Sequence, residues 1–139
     1  TAGTGVNMNN SGDEATGSIC PKGWRLPRTG KLSKSTNNEF YNLAEKYNGT
    51  TTWYDEDSSF GYWQNGTHEM LTGMPGFLLS GFRRFETPQL YRRGTNGNYW
   101  SSTIRDLSEA YYLVMYYNTI YPRHIYPRYG GLSVRCIAR

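Results

Sequence analysis

The side chains that could carry chemistry are few, and their spacing argues against most chemistries. The chain holds two histidines and two cysteines. Asp55, Glu56 and Asp57 stand in a row in "YDEDS", a set of hard oxygen donors that could ligate calcium. The alternating donor pattern of a calcium loop is missing, and consecutive acids more often form a solvated turn or open a helix, so no metal site is expected. Asp55, Asp57, Glu69 or Glu86 could supply the two carboxyls of a glycoside hydrolase, yet nothing fixes any two of them at a working separation. His68, beside Glu69, could move a proton, but an isolated surface histidine is the simpler interpretation. Cys20 and Cys136 belong to no C-x-x-C or Cys/His cluster of the kind that holds zinc. Phosphate-binding glycine loops, H-E-x-x-H and G-x-S-x-G are all absent. No catalytic residue and no cofactor are expected.

Binding chemistry is better represented. The run "AYYLVMYYNTIYPRHIYPRYGG" (110–131) packs seven tyrosines, two arginines, one histidine and two prolines. With 139 residues the chain is expected to form one domain around a single core. Its hydrophobic fraction of 37% is low, but 16% aromatic residues supply the missing apolar area as rings. The net charge is +4, and five of the 15 basic residues fall between 83 and 105, which favours an acidic partner. In "GFRRFETPQLYRRG" arginines and rings could grip phosphates and stack bases. The glycines and proline make it loop-like, where paired arginines are commonly solvated, so no nucleic-acid partner is expected. No run of 18 apolar residues occurs. Membrane attachment is therefore expected only through a leader or anchor outside this sequence. Asn9, Asn48 and Asn65 sit in N-x-S/T sequons that an Asn/Thr-rich chain produces by chance.

The elements that must position these residues follow from local patterns. Residues 1–18 have linker composition, leaving 19–139 as the folded domain. "ICPKGWRLPRTGK" reads as a short strand broken by prolines and glycines. In "STNNEFYNLAEKYNG", Phe40, Leu43, Ala44 and Tyr47 recur at helical spacing, with Ser35 or Thr36 as the expected N-cap and Gly49 as terminator. A second short helix is expected near 57–63. Strands are expected at 76–84, 98–103, 110–118 and 131–139. Helix early and strands late give an α+β domain with an antiparallel sheet.

Period-2 alternation puts Tyr111, Leu113 and Met115 toward the core and sends Tyr112, Val114 and Tyr116 to the other face. Two prolines, unable to donate ladder hydrogen bonds, make 117–129 a loop or edge. Tyr116, Tyr117, Tyr121, Arg123, His124 and Tyr126 are then expected to stand in solvent. If Cys20 and Cys136 pair, the bond closes most of the chain and places it in an oxidising compartment; the alternative is two buried thiols in a cytosolic domain.

Both ends of the chain carry family-like motifs. "CPKGWRLPRTGKLSKSTNNEFYNL" resembles the opening, and "GNYWSSTIRDLSEAYYLVMYYN" with "RYGGLSVRCIAR" resembles the close, of bacterial FISUMP-type (major paralogous) domains, over about 19–139. The segment after "RLP" is longer here than in many relatives. The resemblance implies a C-type-lectin-like fold whose first and last strands lie side by side, so that Cys20 would meet Cys136. A calcium-dependent sugar lectin is disfavoured, because its EPN, QPD and WND triplets are absent.

A second resemblance is to variable proteins of diversity-generating retroelements, which use this fold and randomise AAY codons near the C-terminus. Such codons yield Tyr, His, Asp, Ser, Arg, Leu, Ile, Val, Thr and Asn but not Lys, Gln, Met, Trp or Glu. From Ser101 to Arg139 there is no Lys, Gln, Trp or Phe; Glu109 and Met115 would be fixed. The implied variable face, within about 101–139, is Ile104, Arg105, Asp106, Leu107, Ser108, Tyr112, Val114, Tyr116, Tyr117, Asn118, Tyr121, Arg123, His124, Ile125, Tyr126, Arg128 and Tyr129. The implied function is ligand binding at the cell surface or outside the cell, with a protein ligand on another surface favoured over a glycan. Two alternatives stay open: an invariant structural or adhesion module, and a relative of formylglycine-generating enzymes, which "WRLP" and "VRCIAR" faintly resemble and which would need reactive cysteines or metal-binding histidines.

Overall fold

The computed structural model describes residues 19–47, 52–55, 59–64, 77–116 and 118–139. The expected linker 1–18, Gly49, Glu56, Asp57, His68, Glu69 and Tyr117 lie outside them. The described chain is α+β and mostly antiparallel: β1 (Trp24–Arg25), α1 (Glu39–Glu45), β2 (Thr52–Tyr54), β3 (Tyr62–Gln64), β4 (Phe82–Arg83), β5 (Leu90–Tyr91), β6 (Asn96–Ile104), β7 (Glu109–Tyr116), β8 (Thr119–Pro127) and β9 (Ile137–Ala138).

The architecture follows from β7. Leu113 and Met115 are fully buried on one of its faces, and Tyr112 and Val114 are buried on the other. A strand apolar on both sides needs cover on both. β6 and β8 flank it, giving a five-stranded sheet in the order β2-β3-β8-β7-β6. β8 (119–127) is therefore an interior strand, a correction to the loop or edge expected over 117–129, while Asn118, Arg128 and Tyr129 are in turns as expected. Its prolines are accommodated by a register irregularity: Tyr112 pairs with His124 but Val114 pairs with Tyr121, so β8 carries an extra residue at Pro122–Arg123. The bulge frees Pro122 from any ladder donation, and Pro127 ends the strand. On its other side β8 registers with β3 only at Ile120, opposite Trp63.

Helix α1 covers the Leu113 face. Phe40 and Ala44 are buried and Leu43 and Tyr47 pack against them, as the spacing predicts. Tyr41 is also buried, stacked on Trp63 at 4.8 Å and edge-on to Trp53 at 5.2 Å. The N-cap is Asn38, three residues later than Ser35. Its Oδ1 accepts from the Tyr41 amide (3.1 Å) while its Nδ2 donates to the Ser33 (2.9 Å) and Pro122 (3.4 Å) carbonyls. A buried amide that joins the helix start to the β8 bulge outcompetes a half-buried hydroxyl cap at Ser35. The second helix expected near 57–63 is replaced, over 59–64, by a turn and β3, because Trp53 and Tyr54 pair across strands with Trp63 and Tyr62. β4 and β5 form a hairpin where 76–84 was expected to be one longer strand and 81–94 to be loop-like.

The Tyr112 face is covered by the chain ends. Leu26, Trp100, Ile104, Ala110, Tyr112 and Val114 form a second core, with Cys20, Leu132 and Val134 packed on it. β1 pairs antiparallel with β9, so the terminal strands are adjacent. Cys20 and Cys136 are bonded across a sequence separation of 116. Arg25 of β1 grips Glu39 of α1 bidentately at 2.7 and 2.6 Å, and the Arg28 amide donates to the same carboxylate at 2.7 Å.

Two outcomes are expected. Loop-closure entropy over this separation gives the disulfide about 4–5 kcal/mol at most; denaturant unfolding with and without reductant should differ by no more than that, with unchanged fold in the oxidised form. For Glu39, burial raises the carboxyl pKa, but the hydrogen bonds from Arg25 and the Arg28 amide outweigh it and the net shift is downward. Its stabilisation is present above the unfolded carboxyl value of about 4.3 and lost as pH falls through the lower folded value. Glu39→Gln should destabilise by about 1–2 kcal/mol at neutral pH and should flatten that acid limb of the stability–pH curve.

Candidate functional site

The side of the sheet that carries Tyr112 continues outward into a chain of rings. Pleat alternation along β7 and the bulge in β8 bring Tyr112, Tyr116, Tyr121, His124 and Tyr126 onto one face. Tyr116 and Tyr121 lie parallel with centroids 6.2 Å apart, and Tyr121 meets His124 edge-on at 5.0 Å. His124 contacts Tyr112 at 5.9 Å, and Tyr112 contacts Tyr126 at 5.8 Å. The chain extends at one end through Tyr62, 4.7 Å from Tyr121, to Tyr54. At the other end Phe82 and Phe85 close on Tyr126 at 5.8 and 6.1 Å, and Phe85 meets Tyr129 at 5.4 Å. Buried Tyr112 and Trp100 form the floor of this belt, Tyr116, Tyr121, His124 and Tyr126 are half-buried, and Phe85 and Tyr129 are exposed, the latter at 61%.

The expected site residues divide. Tyr116, Tyr121, His124, Tyr126 and Tyr129 gather on the belt. Asn118, Leu107 and Ser108 are exposed, and Arg105, Asp106 and Arg128 are half-buried near its Tyr129 end. Ile104, Tyr112 and Val114 are corrections: all three are buried in the second core, because this face is covered by Leu26 and Val134 rather than by water. Arg123 is a fourth, at 2% exposure. The bulge turns it inward, its guanidinium lies 3.6 Å from the Tyr111 ring centroid, Nε donates to the Gly30 carbonyl at 3.0 Å, and a terminal nitrogen donates to the Ser59 carbonyl at 2.9 Å. It is a tie between loops and sheet. Alternation also turns Ile125 away from His124 and Tyr126. Asp106 is occupied locally: its Oδ1 accepts from the Ser108 amide and hydroxyl and from the Glu109 amide at 2.8–2.9 Å. That geometry holds the β6–β7 turn, with Arg105 paired to Glu109 at 3.1 Å. Sequence reasoning missed Tyr54, Phe60, Tyr62, Phe82 and Phe85, whose signal was the excess of rings over aliphatic residues in 53–63 and 82–91.

Burial favours the neutral form of three groups of the belt, Tyr112, His124 and Tyr126. Burial raises the Tyr112 hydroxyl pKa well above its ordinary value, reinforced by Tyr126 and Tyr116. Burial also raises Tyr126 against the opposing pull of Arg84. His124, packed among Phe60, Tyr112 and Tyr121, is held below the ordinary histidine value by burial. Neutral hydroxyls donate and accept, and rings offer area, so the surface suits adaptable contact with a folded partner. Among the described residues no group of three His, Cys, Asp or Glu side chains could hold a metal ion.

No protein-family model, curated protein or solved structure matches the chain.

The depressed His124 value sets a pH dependence. The unfolded chain takes up the proton first, so stability is full above about pH 6.5 and falls as pH drops toward the folded value. Urea unfolding between about pH 7 and 5 should show wild type losing more stability than His124→Gln; parallel curves would contradict the burial of a neutral ring.

Proposed function

We propose that this chain is a ligand-binding display domain of C-type-lectin-like type, akin to FISUMP-type modules, whose C-terminal segment a retroelement diversifies for varied protein targets outside the cell. The continuous belt from Tyr62 through Tyr121 and Tyr126 to Tyr129 carries this reading. Tyrosine supplies large contact area with two torsions to freeze and a hydroxyl at its tip, the chemistry of antibody paratopes. A contiguous run of rings that keeps partly exposed edges is itself a mark of a partner surface.

Other observations support it. The adjacent terminal strands and the disulfide between the ends suit the C-type-lectin-like type. A disulfide suits an oxidising compartment. Both cysteines of the chain are joined in it, which leaves no thiol for formylglycine-type chemistry. The absence of Lys, Gln and Trp after Ser101 accords with the codons that adenine-directed mutagenesis permits. A protein ligand fits the breadth of the belt better than one sugar ring stacked on it.

The burial pattern sharpens which positions vary. Sibling copies or isolates should differ at Arg105, Leu107, Ser108, Tyr116, Asn118, Tyr121, His124, Tyr126, Arg128 and Tyr129. Ile104, Tyr112, Leu113, Val114, Met115, Arg123 and Cys136 should stay constant. Sequencing of the source locus should find a reverse transcriptase beside an Asn-codon-rich template repeat. A locus without either, or differences spread evenly over buried and exposed positions, would overturn the reading.

A further inference from the structure

At the Tyr129 end of the belt stand two arginines, Arg83 and Arg128. β4 forms an isolated antiparallel bridge with the C-terminal segment: the Arg83 amide donates to the Gly131 carbonyl at 2.7 Å and the Gly131 amide to the Arg83 carbonyl at 2.9 Å. Beside this bridge lies a cleft of about 210 Å³ whose lining combines apolar Trp100, Leu132 and Val134 with Arg83, Arg128 and Tyr129. The position of Arg83 depends on the glycine opposite. A Cβ on Gly131 would stand 2.9 Å from the Arg83 Cβ and 3.3 Å from its Nε, so any side chain there would push the guanidinium away. Arg128 is set from the other side, where one terminal nitrogen donates to the Leu107 carbonyl at 3.1 Å.

We propose that this cleft is an anion-anchoring subsite that receives one carboxylate of a polypeptide ligand, with its apolar stem against Trp100, Leu132 and Val134. Arg83 and Arg128 both line the cleft, and a guanidinium's planar fork matches a carboxylate. The volume is below that of sites for extended small molecules and has room for one amino-acid residue. A nucleic-acid strand would need a continuous basic track, whereas Asp106 beside Arg128 and Glu109 paired to Arg105 interrupt the positive charge. As the anchor of a larger interface the cleft rests on the ligand-binding reading of the belt; its affinity for carboxylate does not.

The test is NMR titration of the whole chain, following arginine Nε–H and Trp indole signals. The probes are N-acetylleucine (a terminal carboxylate), N-acetylglutamate N-methylamide (a side-chain carboxylate), the neutral N-acetylleucinamide, inorganic sulfate and oligothymidylate. At least one carboxylate should saturate in the millimolar range, shifting Arg83, Arg128 and Trp100. Which one does so identifies the source. Arg83→Gln and Arg128→Gln should each weaken it about tenfold, and Gly131→Ala should do so with both arginines present. Equal binding of the amide, equal or tighter binding of sulfate or oligothymidylate, shifts mapping elsewhere, or no saturable shift would each overturn the proposal. Lys34→Gln, which removes an exposed positive charge outside the cleft lining, should leave carboxylate binding unchanged. The cleft can thus fail while sequence variation still supports the belt, and the belt can fail while the cleft still binds.

Discussion

Burial of β7 on both faces is the constraint on which the rest of the molecule depends. Leu113 and Met115 call for the helix on one side, while Tyr112 and Val114 call for cover on the other. The chain has one described helix, and it is used on the first side. The second side is covered by the two ends of the domain, Cys20 and Leu26 from the start and Leu132 and Val134 from the finish. Short segments make poor cover without an added tie, since little area is buried for the backbone entropy lost. The β1–β9 pair, the disulfide and the Arg25–Glu39 bridge supply that tie and link it to the helix start.

Cover by chain ends is incomplete, and the belt is its consequence. Trp100 and Tyr112 are sealed, but Tyr116, Tyr121 and Tyr126 are only partly covered, and the rings pass from core to surface without a break. Such residues do two jobs: the inner edges pack the second core and the outer edges remain available. Side chains held by ring contacts on two sides lose less freedom on binding than isolated surface side chains would. The fold therefore presents a preordered aromatic surface on a sheet, which is more rigid support than a loop gives.

Much of this was legible in the sequence, and the failures have physical causes. The helix carrying Phe40, Leu43 and Ala44, with Tyr47 just past its end, and the inward set Tyr111, Leu113 and Met115 followed from periodicity. The adjacency of the ends was implied by the motif resemblance rather than by any local pattern. The burial of Tyr112 and Val114 was missed because period-2 alternation says only that two faces differ, not that one of them meets water. The prolines of β8 misled for a related reason: Pro122 excludes a regular ladder, and the register shift that admits it is set by β7, a tertiary partner. Arg123 looked like a surface charge by composition; its burial depends on the Tyr111 ring and on carbonyls at Gly30 and Ser59, 93 and 64 residues away in sequence. The Asn38 cap was hidden by the nearer-looking Ser35 and Thr36, since its advantage is a contact with the Pro122 carbonyl.

The central claim is that one sheet face is divided into a fixed inner layer and a replaceable outer layer. Saturation mutagenesis across residues 104–129, with folded protein on a display platform scored by protease resistance, addresses it most directly. The account predicts broad tolerance at Tyr116, Tyr121, Tyr126 and Tyr129, and loss of folded protein for polar replacements at Ile104, Tyr112, Val114 and Arg123→Ala. Equal tolerance in both groups, or intolerance centred on the belt tyrosines, would contradict it.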